Sequence, residues 1–318
     1  MLQYLIILLD DTSTTYCHYD NPKHEANLMP LETLKQGIRF GMMENLMIQF
    51  VYPDYEMAQM YKDTIETIDH SKIVSSLTTD EELVDEADVI VLHDWTSLQY
   101  YKFREDKAYV LRTDKANLFD RFAFLKSVLG KVSRLNVVIT DVETFTDWDF
   151  ERYNHILSEL ATEMEKLYVA GKSPQLNLLT DRMMLKEMNN CGAGDSNITL
   201  APNGKFYICP AFYYEDETDS VGDLEHGLDI KNKQLYKLEY APICRHCDAW
   251  QCKRCIWLNR RTTLEVNTPS HEQCVVAHME RNASRELLQK IGKRKNPLLQ
   301  DSIEEIDYLD PFDVRKEW

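Results

Sequence analysis

The sequence predicts an α/β fold: a partial (β/α) barrel-like N-terminal domain, then a small cysteine-rich domain with a β-hairpin and a C-terminal helix. Three observations predict it. Short, continuously apolar runs alternate with helix-like segments over residues 1–180, the pattern of parallel βα units. Near residue 190 cysteine, glycine and aromatics become frequent and helical periodicity fades. Seven of the eight cysteines then fall between Cys191 and Cys274. These shifts set boundaries at 1–185 for the βα domain, 186–296 for the cysteine-rich domain with its helix, and 297–318 for an acidic tail.

Each element has a local reason. Tyr4 to Leu9 is a short apolar run, as expected of a buried strand. Pro30 to Met43 reads as a helix, with Pro at its start and Leu34, Ile38 and Met42 four apart. Leu46 to Val51 is a second strand, ended by Tyr52-Pro53. Thr79 to Glu86 is a short acidic helix, and Val89 to Leu92 a continuous apolar strand. Tyr109 to Leu111 and Val137 to Thr140 are further strands, on either side of a helix from Ala116 to Leu129 that closes at Gly130. The strongest helical pattern is Trp148 to Ala170. Thr146 and Asp149 fit a capping box, Tyr153, Ile156, Leu157, Leu160, Met164 and Leu167 make one stripe, and Gly171 stops it. Leu176 to Leu179 is expected as a last strand. An open or partial barrel is preferred to a doubly wound sheet, and no glycine-rich phosphate loop follows any strand. Beyond residue 190, Ile198 to Leu200, Pro202-Asn203-Gly204 and Phe206 to Ile208 read as strand, turn and strand. Val276, Met279, Ala283, Leu287 and Ile291 keep helical spacing, and that helix is expected to pack on the barrel-like part.

The net charge is −17, which argues against non-specific nucleic-acid binding. The basic strip from Arg281 to Lys295 and the acidic stretch from Asp301 to Asp313 read first as solvated surface; the basic strip could instead dock an acidic partner. The opening MLQYLIILLDD has no basic region and no small-residue cleavage site, and no window reaches a membrane-spanning length. A cytoplasmic protein without membrane contact is the expectation. In that compartment a cysteine cluster means metal or catalysis rather than disulfides.

The cysteines are spaced for metal. Cys191 is followed by Gly204 and Cys209; Cys244, Cys247, Cys252 and Cys255 stand together in CRHCDAWQCKRC; Cys274 follows after a gap. Two Cys-x-x-Cys pairs, Cys244/Cys247 and Cys252/Cys255, would suffice for one tetrahedral zinc ion. That arrangement leaves Cys191, Cys209 and Cys274 unused, whereas iron-sulfur clusters typically take four thiolates each. Other polar residues point less strongly to a site. His93-Asp94, and Asp141 with Glu143, end strands of the barrel-like part, where sites often lie, but each also reads as an ordinary capped strand end. Asp195 and Ser196 either cap a turn, the preferred reading, or reach a metal. His246 lies between two cysteines and is expected to point away.

Seven cysteines and one glycine in this order resemble the SPASM domain found at the C-terminus of radical S-adenosylmethionine enzymes that modify peptides. The usual central spacing is Cys-x2-Cys-x5-Cys-x3-Cys, and two intervals here are each one residue shorter. The resemblance implies two auxiliary [4Fe-4S] clusters. Cys191, Cys209 and Cys255 would hold the first, whose fourth iron position lacks a cysteine. Cys244, Cys247, Cys252 and Cys274 would hold the second. It also implies that residues 1–180 are a version of the radical enzymes' partial barrel. Those enzymes carry Cys-x3-Cys-x2-Cys just after the first strand. Here that segment reads DDTSTTYCHYDNP, with Cys17 alone, and Tyr52-Pro53-Asp54 stands where a Gly-Gly-Glu segment is usual. S-adenosylmethionine is therefore not expected as a cofactor, and Cys17 reads as a spare thiol. The whole-chain texture is similar to the CXXX repeat peptide maturase family. That similarity implies maturation of a ribosomally made Cys-x-x-x repeat precursor peptide, with a radical-generating partner enzyme. The alternative is a non-catalytic docking module stabilised by zinc or inert clusters.

Overall fold

The computed structural model describes residues 2–188, 191–250, 252 and 254–292. The acidic tail and the end of the basic strip lie outside them. Two units divide the chain, and each is built from two stretches: Met1–His93 with Gly192–Lys237, and Asp94–Cys191 with Leu238–Trp318.

The first unit opens with four strands joined by helices: β1 (Tyr4–Leu8), α1 (Leu31–Met43), β2 (Met47–Val51), α2 (Gln59–Ile65), β3 (His70–Ser75), α3 (Glu81–Glu86) and β4 (Val89–Leu92). Every neighbouring pair is parallel, with Tyr4 opposite Met47, Ile48 opposite His70 and Ile73 opposite Val89. Helices must cover such a sheet, and α1 does so closely. A Cβ on Gly41 would stand 2.7 Å from Ile48 Cδ1, so glycine there permits the approach. Leu5, Ile7, Leu8, Phe50, Val74 and Val91 are fully buried.

The second unit begins with α4 (Trp95–Tyr100), β5 (Ala108–Thr113), α5 (Lys115–Leu129), β6 (Arg134–Ile139), α6 (Asp147–Val169), β7 (Gln175–Leu176) and the short α7 (Asp181–Met184). β5, β6 and β7 are again parallel neighbours. The expected capping box at Thr146 and Asp149 is present, and Tyr153, Ile156, Leu157, Leu160 and Met164 are buried as the stripe predicts. The expected strand over Leu176 to Leu179 is cut to Gln175–Leu176. The Thr180 hydroxyl donates to Leu176 O at 3.0 Å and pulls the chain into a turn.

The chain then returns to the first unit. β8 (Asn197–Leu200) pairs parallel with β1, Tyr4 opposite Asn197, and antiparallel with β9 (Phe206–Tyr207). This is the expected hairpin, and Gly204 takes φ +76 at its turn. α8 (Pro210–Glu215) follows with proline at its first position. Gly222–Asp223 and Gly227–Leu228 form a small antiparallel ribbon. The last stretch adds α9 (Ile256–Thr263) and α10 (His271–Ile291) to the second unit. As expected, α10 packs on the βα part, lying against α6, with Tyr153 donating to Glu280 Oε1 at 2.6 Å. Among the described residues no helix is long and apolar enough to cross a membrane.

α3 depends on one side chain. Asp80 Oδ1 accepts from the Leu83 amide at 3.1 Å, and Oδ2 pairs with Lys62 at 2.7 Å. Burial pushes its carboxyl up, but Lys62 and the Leu83 amide outweigh that and hold it below the usual carboxylate range. Asp80→Ala should cost about 0.5–2 kcal/mol at neutral pH, read by urea denaturation. The lowered value means this stabilisation is complete above the unfolded value of about 3.9 and lost as pH falls through the folded one. The gap between wild type and variant should therefore narrow only in strong acid.

Candidate functional site

Four cysteines from separate parts of the second unit meet in one cavity. Cys244 opens a 3-10 turn over Cys244–His246, and Cys247 follows it. Cys252 lies between that turn and α9. Cys274 sits in the first turn of α10, just after the Ser270 cap, whose hydroxyl accepts from the Gln273 amide at 3.4 Å. Cys244, Cys247, Cys252 and Cys274 line the cavity with Arg254, His278 and apolar residues such as Ile243 and Ala277.

The sulfurs act on one another. Burial pushes the Cys244 thiol up to about 11, with Arg254 opposing and Cys247 adding to the rise. Cys252 is raised well above the ordinary thiol value by burial first, then by Cys244, Cys274 and Cys247. Cys247 Sγ accepts from the Ala249 amide at 3.4 Å and lies 3.5 Å from His278 Nε2. Among the described residues no three His, Cys, Asp or Glu side chains are arranged to hold a metal ion.

The surroundings are cationic. Arg254 is 1% exposed and donates to Asn267 O at 3.2 Å. Arg182, wholly buried, donates from Nε to Asp248 O at 2.7 Å, and its Nη1 and Nη2 have no hydrogen-bond partner among the described residues. Burial lowers its pKa to about 10; Asp248 and Cys247 oppose the fall, and Arg281 and Arg285 add to it. By donor chemistry, though not by an ion-holding arrangement of the described residues, four soft donors along one mostly apolar cavity suit a metal–thiolate group, and the orphaned cation on the carbonyl next to Cys247 suits one of net negative charge. Such a group would be held by Cys244, Cys247, Cys252 and Cys274.

The other three cysteines are divided between the units. Cys209 precedes α8 in the first unit, and Cys191 and Cys255 belong to the second. Cys255 precedes α9, and Cys191 Sγ lies 3.9 Å from Arg254 O.

A second polar group occupies the carboxyl ends of the parallel strands in the first unit, the end where barrels carry their sites. The Thr12 amide donates to Asp10 Oδ1 at 2.7 Å, and the Tyr55 hydroxyl to Asp10 Oδ2 at 2.9 Å. Asp11 accepts from the Tyr213 hydroxyl and from Asn27 Nδ2 at 3.1 Å, and pairs with Lys23 at 3.4 Å. The Ser13 hydroxyl donates to Val51 O at 2.9 Å, and Thr14 Oγ1 lies 2.7 Å from His93 Nε2. Cys17 and Cys209 both act on the buried Tyr19, whose phenol is raised first by burial and then by Tyr16 and Tyr214.

The weaker sequence candidates have ordinary local roles. Asp141 accepts from the Lys115 amide at 2.8 Å, and burial raises its carboxyl. Glu143 lies in the 3-10 turn Val142–Thr144. Asp195 and Ser196 form a turn on Gly192, their amides donating to its carbonyl at 3.0 and 2.7 Å. His246 is exposed, and His93 bonds Thr14. Sequence reasoning missed His278, Arg254 and Arg182. His278 had a signal, since it stands one helical turn after Cys274 on the same helix face. Arg182 had none, because 66 residues separate it from Asp248.

No known family matches the sequence, and no curated protein does. Solved structures do resemble the fold. Hexahistidine-tagged anSMEcpe with bound AdoMet aligns at TM-score 0.62 and 12% identity, over 94% of this chain and 97% of that one. Native anSMEcpe with bound AdoMet and Cp18Cys peptide gives 0.60 at 11%, over 92% and 100%. Its complex with Kp18Cys peptide gives 0.60 at 13%, over 92% and 100%. The likeness shows the fold alone, a mixed α/β framework built on a large parallel sheet.

Tyr213→Phe tests the strand-end group. It deletes the hydroxyl that donates to the buried Asp11 while keeping the ring that packs at a tilt on Tyr207 and Tyr214. The expected loss is about 1–3 kcal/mol by urea denaturation, because a hydrogen bond to a charged group goes.

Proposed function

We propose that this protein matures a ribosomally made peptide with Cys-x-x-x repeats, holds two [4Fe-4S] clusters, and works with a partner enzyme that starts the radical chemistry. One observation carries the reading. Cys244, Cys247, Cys252 and Cys274 line a single cavity, the grouping that the SPASM resemblance implies. The zinc alternative needs Cys255 in place of Cys274, whereas Cys274 is the residue that α10 brings to the other three. The likeness to a fold whose structures carry AdoMet and cysteine-named peptides supports the peptide part.

Cys191, Cys209 and Cys255 are assigned to the other cluster. When bound, such clusters supply one-electron transfer and, at an iron short of a cysteine, a position for a substrate thiolate. The protein's own contribution is to gather the thiolates, exclude water from the Cys244 cavity and present the peptide. Cys17, without the two further thiolates that a radical-generating cluster needs, is assigned no role in cofactor cleavage.

Anaerobic reconstitution should load about eight irons with matching sulfide. Cys274→Ala should lose roughly half of them, being assigned to one of two equal clusters. Cys17→Ser should lose none. Stoichiometric zinc without iron uptake would overturn the cluster assignment.

The isolated protein, given S-adenosylmethionine and a strong reductant, should form no 5′-deoxyadenosine above the protein-free background. Holo protein titrated with a Cys-x-x-x repeat precursor should bind it and change its electron paramagnetic resonance signal. A serine-substituted precursor should leave the signal unchanged. Absence of binding with or without a radical-generating partner would remove the peptide reading.

A further inference from the structure

Arg182 is a buried cation without enough counter-charge. It is fully buried, and its guanidinium is fixed by two contacts: Nε donates to Asp248 O at 2.7 Å, and the plane lies 3.7 Å over the Trp250 ring. Its two amino groups, Nη1 and Nη2, have no hydrogen-bond partner among the described residues. A side chain held this firmly does not leave its donors orphaned through looseness. Buried, unsatisfied and charged donors are strongly disfavoured, so a partner of opposite charge is called for.

The nearby carboxylate does not supply it. Asp248, 1% exposed, gives Oδ1 to Arg281 Nη1 at 2.6 Å. Its Oδ2 has no hydrogen-bond partner among the described residues, so it does not satisfy the Arg182 amino groups. Arg285 also acts on Arg182, and Arg254 lines the cavity beside Cys244. Several guanidiniums thus gather near one buried carboxylate. Asp248, whose carbonyl holds the Arg182 guanidinium, directly follows Cys247, so the orphaned amino groups are anchored one residue from a cavity cysteine. A metal–thiolate group held by the four cysteines would supply the missing negative charge.

We propose that Arg182 is the charge-balancing residue of the four-cysteine cavity, stabilising the metal-bound thiolate set and raising the reduction potential of the cluster it holds. The inference rests on the cluster reading above. Its physical basis is that reduction adds negative charge, and a fixed cation close by favours the reduced form. Arg182 is anchored on the carbonyl next to Cys247 rather than on a reacting atom, so it is a positioning residue rather than a catalytic one.

The test compares wild type, Arg182→Met and Arg182→Lys, each as cluster-free and as reconstituted full-length protein. Potentiometric titration followed by electron paramagnetic resonance reads the cluster. Arg182→Met should lower one midpoint potential by about 59 mV, a tenfold change for a one-electron couple, and Arg182→Lys should recover most of it. Urea denaturation reads the charge. In cluster-free protein Arg182→Met should leave the midpoint unchanged or raise it, because it removes an unbalanced buried cation. In reconstituted protein the same change should lower it. A folded Arg182→Met protein that no longer retains the cluster also supports the inference. Unaltered potentials, or equal destabilisation of the cluster-free and reconstituted forms, would overturn it and leave a purely structural arginine. If wild type takes up no iron, the cluster reading falls first and this inference with it. If wild type loads normally and only the Arg182 comparisons fail, the reading stands and the inference alone is lost.

Discussion

The parallel pairing of Asn197–Leu200 with Tyr4–Leu8 is the constraint on which the rest of the first unit depends. It gives the first strand a neighbour on each side, with Tyr4 opposite both Met47 and Asn197. A central, fully apolar strand needs both edges paired, because its amides and carbonyls lie away from water. A segment nearly two hundred residues downstream is therefore drawn into the N-terminal sheet. Its hairpin follows, and with it Cys209. The cysteine-rich sequence is thus shared between two units, Cys209 in one and the remaining six of its cysteines in the other.

The same sheet explains the polar group at its carboxyl ends. Parallel strands deliver their loops to one side. Here that side carries a loop, from Asp10 onwards, that is closed by its own hydrogen bonds. Asp10 and Asp11 are held by Tyr55, Tyr213, Asn27 and Lys23, while Ser13 and Thr14 bond Val51 and His93. Carboxylates, phenols and hydroxyls occupy the strand ends there. In the second unit the electrostatics run the other way. Arg254 lines the cavity of the four cysteines, where burial raises the Cys244 and Cys252 thiols, and Arg182 is held on the carbonyl next to Cys247.

Most of the fold was legible because its signals are local. Continuous apolar runs marked Tyr4–Leu8, Met47–Val51 and Val89–Leu92, and the stripe from Tyr153 to Met164 marked the long helix with its cap. His70–Ser75 was not legible. Only Ile73 and Val74 in it are apolar, and its Lys72 is a poor strand-core residue until Glu66 and Glu86 neutralise it, each at 2.5 Å. Two carboxylates from different parts of the chain decide that strand, and a linear reading does not see them together. The short helices Gln59–Ile65, Pro210–Glu215 and Ile256–Thr263 were missed for a related reason. Each spans about two turns, too few for periodicity to stand out, and packing rather than propensity holds them.

The sequence by itself determined the metal-like spacing of the cysteines, the βα alternation, the hairpin turn at Gly204 and the helix that follows Cys274. All of these rest on interactions between residues close in the chain. Tertiary structure decided which thiols share a cavity, that Arg254 and His278 stand beside them, and that Arg182 is held on the carbonyl next to Cys247. Spacing could not choose between Cys255 and Cys274 as the fourth thiol around Cys244, because that choice depends on where α10 lies after the chain has packed. Burial decided the rest: a guanidinium becomes an unbalanced charge, and a thiol a raised acid, only once water has been removed from around it.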